Sequence, residues 1–363
     1  MPRKSKPHLL FVYPNQFGYH TDTYKYCEYL QDSFQISYFC FDQGLPKTVL
    51  NGINLLYNPY YIGKAKRLIR FYYQAIKYAK EIKCDILFVV QFKFCFLLGL
   101  FVKARVKILD YRTGDLSYYR VIRYLKNKLM WFDSLFFDHI SSISEGLRDI
   151  LNLSRVKTLI LPIGGDVLST QVHSFDHLDL IYIGSLNKRN IYQTIEGIAV
   201  YLERAKAIVI PITYTIIGFG NKNEIIRINK TINKYNLGKI VTFMGRVKYS
   251  ELSKYFDQCN IGVAYIPKKP YYEHQPATKT FEYIISGLFT IATSTFENSN
   301  VINEQNGILC DDSPESFSQA LEVVYDRRQK INDPDIRATL KNFSWERIVN
   351  TILEPYLKKL IAV

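Results

Sequence analysis

Paired cysteines are missing from this chain of 363 residues: its six cysteines, at positions 27, 40, 84, 95, 259 and 310, show no C-x-x-C spacing and no metal-ligand pattern. A disulfide framework and a zinc module are excluded, and the thiols read as core or surface groups in a reducing compartment. Long apolar runs are also scarce. Leu87 to Val102 is the most apolar window, but Gln91 and Lys93 interrupt it, and it falls short of the roughly 20 residues a spanning helix needs. It reads as a strand over 86–90, a turn and a buried helix. The opening MPRKSKPHLLFVYP is basic, with too short an apolar run and no small-residue cleavage site for a signal peptide, so it reads as a lead-in to the first strand. No internal repeat or low-complexity tract occurs. What the first half lacks is acid: residues 1–165 carry 24 Lys and Arg against 12 Asp and Glu, or +12, whereas 166–363 carry 23 against 21, or +2. Such asymmetry points to an anionic partner touched by one half only, a membrane surface or nucleic acid.

The length is too great for one ordinary domain and fits two of about 150–200 residues. In the first half a strand over 8–13, a loop, a helix over 24–30 and a strand over 36–41 make a βαβ unit. The loop PNQFGYHTD then falls at the carboxyl edge of a parallel sheet, where ligands bind, which makes Gly18, His20 and Asp22 candidates to line a site. Helix capping over Thr21 to Thr23 is the competing reading. A strand over 106–109 ends in Asp110-Tyr111-Arg112-Thr113-Gly114-Asp115. Asp110, Arg112 and Asp115 either serve a ligand there or form a salt bridge that ties the loop. Strands over 139–144 and 157–161 follow, and Pro162-Ile163-Gly164-Gly165-Asp166 reads as a linker, giving domains 1–165 and 166–344.

The second half winds a new sheet. A strand over 180–183 runs into Gly184-Ser185-Leu186-Asn187-Lys188-Arg189-Asn190, and a cationic pair in such a loop suits a diphosphate, lysine as a point charge and arginine as a fork of donors. A strand over 214–217 ends at Gly218, a helix spans 224–235, and a strand over 240–243 precedes Gly245-Arg246-Val247. A helix over 314–327 and a last helix after Trp345, with Pro355 a kink, complete the chain. Residues 274–293, HQPATKTFEYIISGLFTIAT, read as a helix opening near His274 to Ala277 with Pro276 in its first turn, closing at Gly287, then a buried strand over 288–292. Phe281, Ile284 and Ile285 keep a helical spacing toward the sheet, which turns Glu282 to another surface. The helix N-terminus near Thr278 and Lys279 suits a phosphate.

PATKTFEYIISGLFTIAT resembles the PLKxFEYMAxGxPVIAS stretch of retaining GT-B glycosyltransferases of family 4. The resemblance implies two Rossmann-like, doubly wound parallel-sheet α/β domains facing a cleft, with the C-terminal helix 345–363 crossing back to the first. It implies that Glu282 binds the ribose of a nucleotide sugar, such as a UDP- or GDP-sugar. The first of the family's two glutamates is replaced here by His274, with Glu273 one residue earlier. Gly184, Ser185, Lys188 and Arg189 are similar to the family's G-R-L-x-x-x-K loop, with Ser185 in place of the arginine. The glycines of Gly218-Phe219-Gly220 either let the backbone approach a ligand, which puts Gly218 in the donor site, or make a tight turn; Arg246 and Val247 resemble the family's F-x-G-x-V element near the nucleobase, and Glu304 to Leu309 looks like the family's x-x-x-N-G-x-L hairpin.

The implied reaction transfers a hexosyl group with retention to a glycan or lipid-linked acceptor, in cell-surface polysaccharide assembly. Arg189, Lys188 and helix N–H groups stabilise the departing diphosphate, with no cofactor, no metal and no Asp-x-Asp clamp. The alternatives are a GT-B sugar-nucleotide epimerase and a non-catalytic basic surface-binding protein. Residues 64–83 and 117–132 are basic amphipathic segments with interleaved tyrosines, which describe a cytoplasmic protein lying on an anionic membrane through its first domain. Each alone reads equally as a solvated face. Nucleic acid is not expected as a partner, since no recognition fold accompanies the charge.

Overall fold

The computed structural model describes residues 6–60, 63–204 and 211–362; residues 1–5, the basic start of the chain, lie outside the described residues, as do the side chains of 64 and 65. It divides the chain into two compact units, Met1–Ile163 with Trp345–Val363, and Gly164–Ser344.

The first unit runs β1 (His8–Val12), α1 (Thr21–Leu30), β2 (Gln35–Asp42), β3 (Ile53–Pro59), α2 (Lys64–Ile82), β4 (Ile86–Val90), α3 (Phe96–Phe101), β5 (Val106–Tyr111), α4 (Arg120–Ser134), β6 (His139–Ser142), α5 (Glu145–Ile150) and β7 (Thr158–Ile160). Its strands form a parallel sheet in the order β3-β2-β1-β4-β5-β6-β7. The central strands are apolar without alternation, as in the fully buried ILFVV of β4, because helices cover both faces of such a sheet. Strand β3 was not expected. Its sequence INLLYNP is half exposed at the sheet edge and ends in proline, a pattern weaker than that of a buried strand. The helix expected to be buried after β4 is α3, and only Leu98 and Gly99 of it are buried; Leu100 and Phe101 stand more than half exposed.

The second unit runs β8 (Leu178–Ser185), α6 (Tyr192–Arg204), β9 (Ile212–Phe219), α7 (Lys222–Lys234), β10 (Val241–Gly245), α8 (Ser253–Gln258), β11 (Ile261–Ala264), α9 (Thr278–Ile285), β12 (Phe289–Thr293), α10 (Phe296–Ser299), β13 (Gly307–Cys310), α11 (Pro314–Arg327) and α12 (Asp333–Thr339). Its parallel sheet has the order β10-β9-β8-β11-β12-β13. The segment expected as a hairpin contributes β13, a strand parallel to β12. Pro276 precedes α9, whose N-cap is Ala277.

In each sheet the order reverses once, between β1 and β4 and between β8 and β11, and an open α/β sheet binds ligands at the carboxyl side of such a point. At the second point β8 and β11 pair only through Leu180 and Ile181 before diverging. The Tyr283 hydroxyl enters the gap and accepts the N–H of Ile183 at 2.8 Å, with Ile217, Phe256 and Leu288 packed in the same core cluster.

After Ser344 the chain rejoins the first unit through α13 (Trp345–Ile348), a π turn over Val349–Leu353 and α14 (Glu354–Ala362). Trp345 is fully buried with its ring 6.1 Å from that of Tyr26 on α1. Pro355 lacks the N–H that would bond back to Thr351, and the helix widens to a π turn just before it.

Candidate functional site

The carboxyl edge of the second sheet gathers most of the expected donor residues. Gly184 and Ser185 end β8, and Gly218 lies in register with Gly184 on β9. A side chain at Gly218 would meet the Gly184 carbonyl oxygen at 2.2 Å, so the two strand ends approach more closely than any other residue permits. The loop beyond bends through two left-handed residues, Lys188 (φ 58°) and Asn190 (φ 54°). Lys188 is exposed, whereas Arg189 folds inward with its guanidinium 4.5 Å over the ring of Tyr272. One buried guanidinium nitrogen of Arg189, Nη1, has no hydrogen-bond partner in the protein. A buried cationic donor without an acceptor is what an anion would satisfy.

Tyr272 belongs to the segment leading to α9. That helix starts at Thr278 with no side-chain cap, leaving its first N–H groups to another acceptor. One turn on, Glu282 is buried with 1% of its surface exposed, which corrects the expectation that it faces away from the packed side of the helix. Its carboxylate pairs with Lys279 Nζ and lies 3.5 Å from the hydroxyl of Tyr249. The same hydroxyl donates to Asp166. Burial pushes the Glu282 carboxyl up and Lys279 pulls it back. Burial, followed by the two carboxylates, raises the Tyr249 phenol far above its ordinary value. Glu282 is thus a buried carboxyl, paired with Lys279 and fixed one turn below the uncapped helix start.

His274 is half-buried against Phe296, ring centroids 4.5 Å apart, with Nδ1 unpartnered, and burial pushes its pKa down. Glu273 accepts the N–H of Phe296 at 2.8 Å at the start of α10, a structural bond that ties its carboxylate. Arg246, exposed beyond a bulge at Gly245, stacks 4.6 Å over Phe219, itself half exposed at the end of β9. Val247 packs on the core. Tyr249, Asp166, Tyr272 and Phe219 were not foreseen. Asp166 reads as linker, and isolated aromatics in a chain of 29 Tyr and 23 Phe carry no signal.

In the first unit the expected residues separate. Gly18 (φ 89°) turns the loop after β1, and His20 caps α1, its Nδ1 accepting the Thr23 N–H at 3.4 Å. Burial pushes the His20 pKa down. Asp110 belongs to β5 and is fully buried, bonded by the Ser141 hydroxyl at 2.7 Å. Arg112 reaches Asp22 at 2.5 Å, the Leu161 carbonyl at 2.8 Å and Asp110 at 3.7 Å. Burial pushes the Asp110 carboxyl up to about 6 against the pull of Arg112, and its Oδ2 and Arg112 Nη2 lack partners. Arg112 thus pairs with Asp22 and Asp110 and ties the loop after β5 to α1. Asp115 stands apart, 3.1 Å from Lys126 of α4.

Among the described residues no group of His, Cys, Asp or Glu could hold a metal ion. An Asp-x-Asp triplet does occur, contrary to expectation, at Asp333-Pro334-Asp335. Asp333 is buried and spent on His173 Nδ1 at 2.6 Å and on Arg337, so it ties α12 to the rest of the unit. No described helix is long and apolar enough to cross a membrane.

Residues 177–327 match the family "Glycosyl transferases group 1", a span that holds the loop after β8, Gly218, Arg246 and Glu282. No curated protein matches the chain by sequence. Among solved structures, sucrose-phosphate synthase from Thermosynechococcus elongatus is 16% identical, with 99% of this chain and 100% of that one covered at a TM-score of 0.74. Anabaena HepE in complex with UDP and glucose is 13% identical, covering 98% and 100% at 0.75. The apo lipopolysaccharide outer core galactosyltransferase WaaB is 12% identical, covering 97% and 99% at 0.72. At these identities the likeness is one of fold: two Rossmann-like parallel-sheet units of the GT-B type.

Proposed function

We propose that this protein is a glycosyltransferase that moves a hexosyl group from a nucleotide sugar to a glycan or lipid-linked acceptor with retention of configuration. The observation that carries the reading is the buried Glu282 one turn below the uncapped start of α9, within the span matched to the glycosyltransferase family. The UDP and glucose named with HepE support a nucleotide-sugar donor. Glu282 accepts from the ribose hydroxyls in place of Tyr249, and the exposed Phe219 and Arg246 flank the base. The diphosphate lies between the α9 N–H groups near Thr278 and the Lys188–Arg189 loop, Arg189 being aimed by its stack on Tyr272. As the bond to the sugar breaks, negative charge grows on the leaving diphosphate, and fixed cations with oriented N–H groups stabilise that charge more than the ground state. This reading assigns the neutralisation to protein groups and no metal.

The acceptor is brought by the first unit, whose basic helices α2 and α4 bind an anionic membrane from the cytoplasmic side, for cell-surface polysaccharide assembly. Donor hydrolysis and transfer assays over a panel of UDP- and GDP-sugars test the reading. Transfer or donor cleavage is expected with one donor. Conversion of the nucleotide sugar to an epimer would make the chain an epimerase, and binding without turnover would leave a surface-binding protein.

A further inference from the structure

The first unit has a cavity of about 550 Å³, within the range of about 300–1,000 Å³ that small-molecule sites occupy. It is lined by Gln91 and Lys93 beyond β4, by Asp115 beyond β5, and by Lys126, Leu129 and Phe132 of α4. Its position is that of a ligand site, at the carboxyl ends of strands beside the point where the sheet order reverses. Its walls are mainly apolar. Phe96 and Phe132 meet edge to face with centroids 5.5 Å apart, and Met130 is buried beside them. The acid at the floor, Asp133, is taken up by the N–H of Phe96 at 3.2 Å and by Gln91 at 3.3 Å, and Asp115 at the rim by Lys126. Lys93 remains as a cation at the rim, its Nζ 4.9 Å over the Phe94 ring.

The outer side of α4 continues the apolar wall into solvent. Val121, Tyr124, Leu125 and Leu129 are each more than half exposed, and Leu129 and Phe132 belong to both the cavity and the helix surface. Arg120, Lys126 and Lys128 are exposed among them, and the one acid of the helix is the buried Asp133. An apolar surface interleaved with cations and free of exposed acid is complementary to an alkyl chain carrying an anionic head, and a helix of that kind lies in the headgroup region of a bilayer.

We infer that this cavity is the binding site for the chain-proximal part of a membrane lipid phosphate, its first carbons against Phe96, Leu129 and Phe132 and its phosphate at Lys93, with Lys126 shared between that phosphate and Asp115. The inference rests on the proposed function in taking that lipid phosphate as the acceptor's anchor, so the acceptor is lipid-linked and not a free glycan. It is tested on the full chain by calorimetric titration with dodecyl phosphate below its micellar concentration, beside dodecyl maltoside and inorganic phosphate. One dodecyl phosphate per chain is expected, bound at least tenfold more tightly than either comparison compound. Leu129→Asp is expected to weaken it at least tenfold. The Lys93→Ala, Lys126→Ala double variant is expected to bring it down to dodecyl maltoside, while Val156→Asp in the exposed turn before β7 leaves it unchanged. Should Leu129→Asp lose its cooperative melt, Phe132→Ser replaces it. Absent saturable binding, equal binding of the neutral amphiphile, equal binding of inorganic phosphate, or indifference to the cavity variants each overturn the inference. UDP is titrated into the same preparations: UDP binding without dodecyl phosphate binding removes this inference alone, and the reverse removes the donor reading and leaves the lipid site.

Discussion

Replacing Glu282 by glutamine keeps the shape of the side chain and removes its charge. The carboxylate has 1% of its surface exposed and is held by Lys279 with Tyr249 at 3.5 Å, so its oxygens are fixed before any ligand arrives. Hydrogen bonds to a charged acceptor contribute roughly 1.5–3 kcal/mol, so loss of the charge should raise the Kd for the donor about 10- to 150-fold. Stability should change by less than about 1 kcal/mol, because Lys279 is partly exposed and water can take up its ammonium. The pH dependence has a definite sign. Burial raises the Glu282 pKa, so the carboxylate is lost on acidification sooner than an ordinary glutamate is, and the ratio of wild-type to variant affinity should shrink as pH falls. Calorimetric titration of both proteins with UDP, at two pH values, reads all of this. Equal affinities at neutral pH would refute the assignment of Glu282 to the ribose.

Other consequences are as direct. Arg189→Ala should lower kcat about 10²–10³-fold with a smaller effect on donor Kd, and the double change of Lys188 and Arg189 to alanine should be close to inactive; a double variant that keeps most of its rate places the phosphate elsewhere. Asp110 has its folded pKa raised from 3.8 to about 6, so the native state holds its proton more tightly than the unfolded chain and stability falls as pH rises through that window. Asp110→Asn should therefore gain relative to wild type by up to about 3 kcal/mol between pH 4 and pH 7 in urea melts; a constant difference would contradict the buried charge. Gly287→Ala forces a side chain into a φ of 86° and to 2.1 Å from the Asp333 carboxylate, which His173 and Arg337 pin, and should cost about 3 kcal/mol in chemical denaturation. The protein should sediment with anionic vesicles at low salt and leave them at high salt, since each basic residue near such a surface contributes about 1 kcal/mol. Neutralising Lys66, Arg67, Arg70, Arg120, Arg123 and Lys126 should abolish sedimentation and spare UDP binding; a wild-type protein indifferent to such vesicles contradicts the membrane reading.

Much of the parallel-sheet architecture was legible because a strand covered on both faces is an unbroken apolar run, as in ILFVV and FTIAT, and a glycine such as Gly287 marks where a helix must stop. Edge strand β3 and the exposed half of α3 were not, since half-buried segments mix polar and apolar residues without a clear period. Within the candidate site, Glu282 and the Lys188–Arg189 loop carry a local pattern. Tyr249 and Asp166 meet only through the tertiary fold, 83 residues apart in the chain. Arg112 and Asp22 were each visible as polar residues at strand ends, but their mutual bond across 90 residues was not. Which charges face a ligand and which face one another is decided by packing.

The central claim is that the carboxyl edge of the second sheet binds a nucleotide sugar. A thermal-shift panel of nucleotide sugars, run with the corresponding free sugars and nucleotides, tests it most directly. One base and one sugar together should raise the melting temperature more than either part alone, and Glu282→Gln should diminish the shift. A panel in which no nucleotide or nucleotide sugar moves the melting temperature would contradict it.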